Sequence, residues 1–548
     1  MRLAYKWQAA IVAAIGLFMA ILDNTIVNVA LPQMQAYFHT SFQTITWVVT
    51  AYLLAQAAVI PIAGYVSDRL GSKTVFLFCL GLFTLGSALC AIAPNEGLLI
   101  GFRVLQGIGG GALFPLALAI VFRVFPPTER GVASAVIGVP ILLAPAFGPT
   151  IGGYLTTTFD WSAIFTVNVP IGIIAIVLGL FVLRGRAADE SQTIQEAAAP
   201  ARRQRFDVVG LILSMVGFTA LVYGITQAAT YGWNDTPFDH FHLFGATLDM
   251  SVMRYLILGG VVLVIFVVNE LLVSDPVMDV RLFKNYTFTM TNILLWAIGG
   301  LLFGSLLLVP LFFENVQHTS ALSTGEILIS QGVAAAVITP IAGRLYNRVG
   351  PRILATIGFI LLTAGTVGFI NLDVNTTGAS LQVWLILRGL GLGLTNIPLQ
   401  TLVLSVVSNR AMARASSLVT VTRQVASAIG IAALTTYAVQ LGTSQAKSFA
   451  TTFQTTQLAQ VRATCLAQVG PNAAAIGKCV TNAAQQYVSA HATVAGINGA
   501  FLISLIGTAI CVVFALLVGR DPAVEAAKRA ASRGEPESAA PRPVMVGE

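Results

Sequence analysis

The stretch Gly64-Tyr-Val-Ser-Asp-Arg-Leu-Gly-Ser-Lys73 connects two long apolar runs, and it has a counterpart later in the chain. Gly343-Arg-Leu-Tyr-Asn-Arg-Val-Gly-Pro-Arg352 repeats its spacing of glycines and basic residues, again between two apolar runs. A second pair keeps nearly the same separation, because Arg103-Val-Leu-Gln-Gly107 inside one apolar run is answered by Arg388-Gly-Leu-Gly391 inside another. We therefore expect one half of the chain to be a structural copy of the other.

The composition indicates an integral membrane protein. Hydrophobic residues make up 56% of the 548 residues, charged residues 10%, and the mean hydropathy is +0.82. A water-facing surface needs far more charge than this. A membrane-spanning helix needs about 20 mostly apolar residues. The apolar runs predict fourteen such helices, at 8–30, 45–66, 74–93, 97–122, 131–156, 162–183, 207–229, 254–273, 289–313, 325–345, 352–372, 380–406, 414–440 and 495–518.

The distribution of basic residues predicts the orientation. Lys and Arg fall mainly in alternate loops and in both terminal segments, and basic loops stay in the cytoplasm. We predict a multi-pass protein of the plasma or inner membrane with both termini cytoplasmic. The formal net charge of +7 is then a topology signal and not a sign of nucleic-acid binding.

The repeat predicts an all-α membrane protein with two six-helix bundles and two helices inserted between them. In transporters built from such repeats, the substrate site lies between the halves near the bilayer midplane. The predicted parts are an N-terminal bundle at 1–183, a cytoplasmic linker at 184–206, inserted helices 7 and 8 at 207–288, a C-terminal bundle at 289–520 and a cytoplasmic tail at 521–548.

An unusual extracellular insert is predicted at 442–498, and its richness in Ala, Gln and Thr suggests an outer helical hairpin. Cys465 and Cys479 are the two cysteines outside the predicted spans, on the side where disulfides persist. They are candidates for a bridge, and two free thiols are the alternative.

A polar cluster interrupts the first apolar run, over Leu22-Asp-Asn-Thr-Ile-Val-Asn-Val-Ala-Leu-Pro32. A carboxylate near the bilayer centre costs about 2.5–3.5 kcal/mol on insertion scales, so Asp23 should face a partner or an aqueous cavity. Asp23 is a candidate proton site, and the alternative is that it only caps or hydrogen-bonds neighbouring helices. The other polar residues of this cluster are Asn24, Thr25 and Asn28.

Arg103 in helix 4 is the matching positive charge in the same half. An arginine stays charged at any relevant pH, so within a span it must be paired or hydrated. The sequence leaves open whether Arg103 touches Asp23. Further polar residues within predicted spans are Gln106, Arg388, Arg423 and Gln424.

Helix 5 is rich in proline and glycine. Each proline removes a backbone donor and clashes with the preceding turn, so the helix should bend and allow close packing. We predict a hinge and packing surface here, with packing alone as the alternative. The residues concerned are Pro145, Gly148, Pro149, Gly152 and Gly153.

Taken together, these motifs resemble the fourteen-helix drug:proton antiporters of the major facilitator superfamily, over almost the whole chain. Two departures are Ser72, where the family usually has a basic residue, and Trp161-Ser-Ala, where it has Trp-Arg-Trp. The matching stretches are the loop Gly64–Lys73 between helices 2 and 3, the helix 4 motif Arg103–Gly107, the antiporter motif Gly148–Gly153, the helix 1 signature Leu22–Pro32, the helix 6 start Phe165–Gly172 and the helix 13 signature Thr422–Gln424.

The resemblance implies alternating access and assigns roles by motif. Asp23 and Arg103 would couple transport to protons, and the antiporter motif would limit leak by packing the halves. Asp68 would close the inner gate by pairing with a helix end or with a basic residue such as Arg69 or Arg130. The other implied gate residues are Gly64, Gly71 and Lys73.

The sequence gives opposing indications of the charge of the substrate. Glu314 and Glu326, at the outer ends of helices 9 and 10, could attract a cation or carry a second proton, or could simply be hydrated. Arg423 favours an anionic or zwitterionic substrate instead.

We expect a monomeric secondary transporter that exports lipophilic, cationic drugs in exchange for protons. Its partners would be a hydrophobic small molecule, protons and the lipid bilayer, with no cofactor, metal or nucleic acid. The alternatives are export of a lipid or amphiphilic metabolite and, in another class, a non-transporting receptor or scaffold. The insertion cost of Asp23 and Arg103 speaks against a scaffold, and no hydrolytic or zinc motif points to an enzyme.

Overall fold

The computed structural model describes residues 4–126, 129–183, 207–231, 242–243, 246–247, 251–408, 411–470, 472–519, 521 and 525. The predicted linker at 184–206 lies outside the described residues. Of the predicted tail at 521–548, only residues 521 and 525 lie inside them.

The apolar runs form helices, because a bilayer offers no water to the backbone and a helix satisfies its own N–H and C=O groups. Each of the fourteen predicted spans overlaps one observed helix. The helices are α1 Tyr5–Phe38, α2 Trp47–Leu70, α3 Ser72–Ala91, α4 Glu96–Val124, α5 Arg130–Thr158, α6 Ala163–Val182 with a break at Val167, α7 Val208–Tyr231, α8 Val252–Leu272, α9 Tyr286–Asn315 with a π-helical turn Ile298–Phe303, α10 Ala321–Val349, α11 Pro351–Val367, α12 Gly378–Ser405, α13 Met412–Val469 with a π-helical turn Phe453–Gln457, and α14 Ala473–Leu517.

Within the described ranges, twelve helices are long and apolar enough to cross a membrane. The two others are α11, which has 17 residues, and α12, which is rich in Gly, Gln and Thr. Smaller elements are the helix Phe42–Ile45, the 3-10 helix Val280–Lys284 and the antiparallel strands β1 His242–Leu243 and β2 Ala246–Thr247.

The two repeated turns have the same backbone geometry. Gly71 separates α2 from α3 with φ +89°, and Gly350 separates α10 from α11 with φ +94°. A side chain at such positive φ meets the following carbonyl, so glycine is required at both turns. The repeated glycine spacing in the sequence therefore encodes a repeated turn.

The helices α1–α6 pack together, and so do α9–α14. The two groups meet mainly through α5 against α10 and α2 against α13, while α7 packs on α8 and on both α2 and α13. We call the end of the bundle that holds Gly71 and Gly350 the loop face, and the opposite end the hairpin face. The domain boundaries within this arrangement stay predictions.

The hairpin face carries two long helical extensions. The predicted spans end at 440 and begin at 495, but α13 continues to Val469 and α14 begins at Ala473, so helix occupies most of the 442–498 insert. The structure joins Cys465 to Cys479 with an S–S distance of 2.04 Å. Glycines allow the extensions to approach closely, since a Cβ on Gly442 would lie 2.6 Å from the carbonyl oxygen of Ala492.

Candidate functional site

Asp23 is fully buried inside the N-terminal half and accepts three hydrogen bonds. Its Oδ2 accepts from Arg103 Nη1 at 2.5 Å, and its Oδ1 accepts from Gln106 Nε2 and Asn168 Nδ2, both at 2.9 Å. A carboxylate removed from water is stable only with such pairing. The structure thus joins α1, α4 and α6 at one buried ion pair.

Arg103 is equally buried and is held from several sides. Its Nε donates to the Val48 carbonyl oxygen at 2.9 Å and its Nη1 to Gln106 Oε1 at 2.7 Å. The Tyr52 ring lies under the guanidinium, with 3.9 Å between Cζ and the ring centroid. The cation–π contact and the backbone carbonyl thus fix the position of the guanidinium beside the carboxylate. Since an arginine keeps its charge, the carboxylate is the member of this pair that a proton can neutralise.

The second half keeps the arginine but not the acid. Arg388 of α12 is fully buried, and its Nη2 donates to Ser305 Oγ of α9 at 2.5 Å. It forms no ion pair with any described residue. The Phe369 and Phe501 rings lie 5.1 and 5.5 Å from its Cζ.

A network of ion pairs links the helices at the loop face. Asp68 accepts from Arg123 at 2.6 Å and from Arg414 of the other half at 3.2 Å. Asp275, in the α8–α9 connection, accepts from Arg414 at 2.7 Å and from Arg69 at 3.0 Å. The predicted pairing of Asp68 with a helix end or a basic residue is present in the structure, with Arg123 of α4 and Arg414 of α13 as the partners. The role of Asp68 in a gate stays a prediction.

The other predicted gate residues have separate contacts. The Gly64 N–H donates to Ser417 Oγ of α13 at 3.0 Å, which brings α2 and α13 into backbone contact. Lys73 Nζ donates to the Leu180 carbonyl oxygen at 3.0 Å, within one half. Arg130 is buried beside Phe122, 5.8 Å from its ring.

Ser72 stands where the family usually has a basic residue, and a neighbouring arginine supplies the missing positive charge. Its Oγ accepts from Arg123 Nη1 at 2.6 Å, while Arg123 Nη2 holds Asp68. An arginine on the neighbouring α4 thus supplies a positive charge next to Asp68.

The antiporter motif packs α5 against both halves. On one side, Gly148 and Gly152 lie against Thr25 and Ile26 of α1, where a Cβ on Gly152 would be 3.0 Å from the Ile26 side chain. On the other side, Gly153 faces Leu322 of α10. Two further motif residues, Pro145 and Pro149, lie inside α5, and Pro149 contacts Gly325 of α10.

The remaining predicted residues are not part of the Asp23 cluster. Asn24 and Thr25 are half-buried and bond backbone carbonyls of α1, and Asn28 is exposed. Arg423 is half-buried and lies 4.8 Å from the Phe114 ring of α4, across the interface of the halves, while Gln424 is half-buried. Glu314 and Glu326 are both exposed at the hairpin face.

Buried polar atoms without partners are concentrated in the C-terminal half. Among the described residues, such atoms also occur in Thr150, Asn168, Thr219 and Glu270, but most of them lie in helices α9, α10, α12 and α13, and buried polar groups normally have a partner. The residues of these four helices include Asn292, Trp296, Gln331, Arg388, Asn396, Gln400 and Arg423.

Sequence reasoning missed several residues of these sites. Asn168 binds Asp23, and it was visible as a lone amide within an apolar run. Arg123, Asp275 and Arg414 belong to the ion-pair network of the loop face. Each is an ordinary charged residue at or between helix ends, where no local signal separates a buried network from a hydrated surface.

The sequence model of the Major Facilitator Superfamily matches residues 13–431. The chain belongs to this superfamily. As a member of the Major Facilitator Superfamily it is a multi-pass membrane transporter and not an enzyme, as expected from the sequence.

Similar proteins within the superfamily indicate the branch to which the chain is related. The chain is 34% identical over 430 residues to a protein named multidrug resistance protein B homolog from Mycobacterium tuberculosis (strain ATCC 25618 / H37Rv), covering 78% of this chain and 75% of the relative. It is 29% identical over 427 residues to the multidrug export protein EmrB of Escherichia coli (strain K12), covering 78% and 79%. These similarities are consistent with the drug:proton antiporter branch of the superfamily.

A solved structure supports the fold alone. The human organic anion transporter MFSD10 (TETRAN) aligns with a TM-score of 0.57 at 14% identity, over 92% of this chain and 100% of that one. The fourteen-helix all-α class predicted from the sequence is confirmed at the level of the superfamily fold.

Proposed function

We propose that the protein exports lipophilic, cationic compounds in exchange for protons. The observation that carries the proposal is the fully buried Asp23–Arg103 pair, with 2.5 Å between Oδ2 and Nη1. A titratable group buried inside a membrane bundle is a functional-site hypothesis by default. Relatives named as multidrug export proteins support the substrate class.

Protonation of Asp23 is the proposed coupling step. A proton on Oδ1 or Oδ2 removes the negative charge, turns one acceptor into a donor and ends the ion pair with Arg103. Since Asn168 and Arg103 reach Asp23 from α6 and α4, the contacts among three helices would change. A proton that binds the two conformations with different affinity shifts their populations.

Proton entry can drive the export of a substrate against a large concentration ratio across the membrane. One proton moving inward gains about 2.3 kcal/mol per 100 mV of potential, and about 1.4 kcal/mol per pH unit. With 100 mV and one pH unit, this amounts to a several-hundredfold concentration ratio per proton at complete coupling.

Alternating access would use the loop-face network as the inner gate. The positive-inside prediction places the loop face in the cytoplasm. Asp68 and Asp275 both bind Arg414 of the C-terminal half, so α2 and the α8–α9 connection must separate from α13 when this face opens.

The substrate would bind between the halves against the polar atoms of the C-terminal half. Asn292, Gln331 and Asn396 offer neutral contacts there. Glu314 and Glu326 would attract cations to the hairpin face, whereas Arg423 would oppose a cation. Cation export is the preferred proposal because two acids face the exit.

A cavity on the hairpin face favours the second candidate, export of a lipid or amphiphilic metabolite. It has a volume of about 800 Å³ and lies between the extensions of α13 and α14 and the end of α9. Its walls include Leu308, Val439, Ala446, Val488 and Ile497, and no residue lining it is charged. Such walls suit a hydrocarbon chain.

The decisive experiment uses proteoliposomes with an imposed pH gradient. Ethidium movement and proton release are recorded for the parent, Asp23→Asn and Asp160→Asn. Asp160 is an exposed acid near the hairpin face and serves as the matched control. We expect ethidium-dependent proton flux in the parent and the control, and a loss of at least about 100-fold in Asp23→Asn, because the amide cannot take up a proton.

Three outcomes would contradict the proposal. Coupled flux that survives in Asp23→Asn excludes Asp23 as the proton site. Proton flux driven by an amphiphile but not by ethidium favours the second candidate. A folded parent that moves no compound tested favours a receptor or scaffold.

A further inference from the structure

We propose that Arg388 and Ser305 form a binding site for a small monovalent anion, with a halide as its simplest occupant. The site lies in the C-terminal half, between α9 and α12, and is separate from the Asp23 pair. It does not depend on the proposed substrate or on proton coupling.

The first argument is unsatisfied hydrogen bonding around a buried cation. Arg388 is 0% exposed, and its Nε and Nη1 have no hydrogen-bond partner among the described residues. Only Nη2 is bonded, to Ser305 Oγ. Buried N–H groups of a charged side chain are strongly disfavoured without an acceptor.

The second argument is the correspondence between the two halves. Arg103 lies in the fourth helix of its half and is bonded at 2.5 Å to Asp23 of the first helix. Arg388 lies in the fourth helix of the other half and is bonded at 2.5 Å to Ser305 of the first helix. Ser305 therefore takes the place of Asp23, and the negative charge of the first site has no counterpart at the second among the residues that the structure describes.

The third argument is the surroundings of Arg388. Phe369 and Phe501 present rings at 5.1 and 5.5 Å, and Gly365 of α11 packs against the Arg388 backbone. Aromatic faces attract a cation but carry no net charge. A halide supplies a full negative charge and accepts N–H donors from any direction, so it needs no rigid geometry from the site.

The test measures thermal unfolding of the purified protein in detergent at constant ionic strength, with chloride or bromide replacing gluconate. For the parent we expect a saturable rise in Tm on the order of 2 °C, because a ligand that binds only the folded state stabilises it. Bromide should also give anomalous scattering next to the Arg388 guanidinium in a crystal.

Two matched substitutions at one position separate charge from hydrogen bonding. Ser305→Ala removes the hydroxyl and leaves the cation uncompensated, so the halide response should persist. Ser305→Asp gives the protein a carboxylate of its own beside Arg388, so the response should disappear. Arg388→Met should also abolish it by removing the cation.

The proposal fails if the parent shows no halide-dependent rise in Tm, since aromatic faces or water then suffice for Arg388. It also fails if Ser305→Asp, shown to be folded by its unfolding transition, keeps the parent response. The same holds if bromide scatters only at other positions.

Discussion

The two halves hold their buried arginines in different ways. Arg103 is paired with the Asp23 carboxylate, whereas Arg388 is bonded to the Ser305 hydroxyl and flanked by two phenylalanine rings. A carboxylate can take up a proton, but a serine hydroxyl does not titrate in the relevant range. The comparison shows that a repeated helix pattern carries a repeated buried cation, while a titratable partner bonds the arginine only at the Asp23 site among the described residues.

The buried amide side chains also differ between the two halves. In the N-terminal half the amides of Gln106 and Asn168 are used to hold Asp23. In the C-terminal half Gln331, Asn396 and Gln400 keep atoms without partners among the described residues. The polar groups around Asp23 are thus largely used within the protein, whereas more of those in the C-terminal half keep unbonded atoms among the described residues.

The largest expected loss of stability follows from removing the residue of the first helix that bonds the buried arginine in each half. Asp23→Ala should lower the free energy of unfolding by about 3–5 kcal/mol, because it leaves Arg103 buried without a counter-charge. Ser305→Ala should cost about 1.5–3 kcal/mol, the loss of one hydrogen bond to a charged group. Unfolding in detergent measures both values, and equal losses would remove the distinction between the halves.

A smaller loss of stability is expected at the glycine turn that both halves share. Gly71→Ala and Gly350→Ala should each destabilise the protein by about 1–2 kcal/mol, because both residues have positive φ. The control is Gly81→Ala in α3, where a Cβ meets open space, and it should be neutral or slightly stabilising. A clear difference between the two turns in unfolding experiments would mean that they are not equivalent.

The smallest expected change in free energy concerns the ion pairs of Arg414, which connect the C-terminal half to the rest of the bundle. Arg414→Gln removes contacts to Asp68 and Asp275, worth about 1 kcal/mol together for partly exposed pairs. The loop face should then open about fivefold more often. Labelling of Ser134→Cys, a buried position between the halves, measures this opening.

The matched control for the gate is Arg352→Gln. Arg352 lies at the same face, and among the described residues its side chain bonds only the Val518 carbonyl oxygen, within its own half. An equal rise in labelling for both variants would show that Arg414 has no special role between the halves. The three native cysteines described as free are buried.

Much of the architecture could be predicted from local properties of the chain. The spans follow from apolar length, the turns at Gly71 and Gly350 from glycine spacing, and the candidate charges Asp23 and Arg103 from their cost inside a bilayer. The helical nature of the outer insert was also predicted, although the continuity of α13 and α14 through it was not.

The partners of those charges were decided only by tertiary structure. Asp23 is held by Asn168, which is 145 residues away in sequence, and Asp68 is held by Arg414, which is 346 residues away. The absence of an acid beside Arg388, within the part of the chain that the structure describes, was equally invisible. The sequence alone determined which groups must be buried in the membrane, because burial depends on local hydropathy. Only the packing of distant helices determined their counter-charges, because an ion pair needs atoms within a few ångströms of each other.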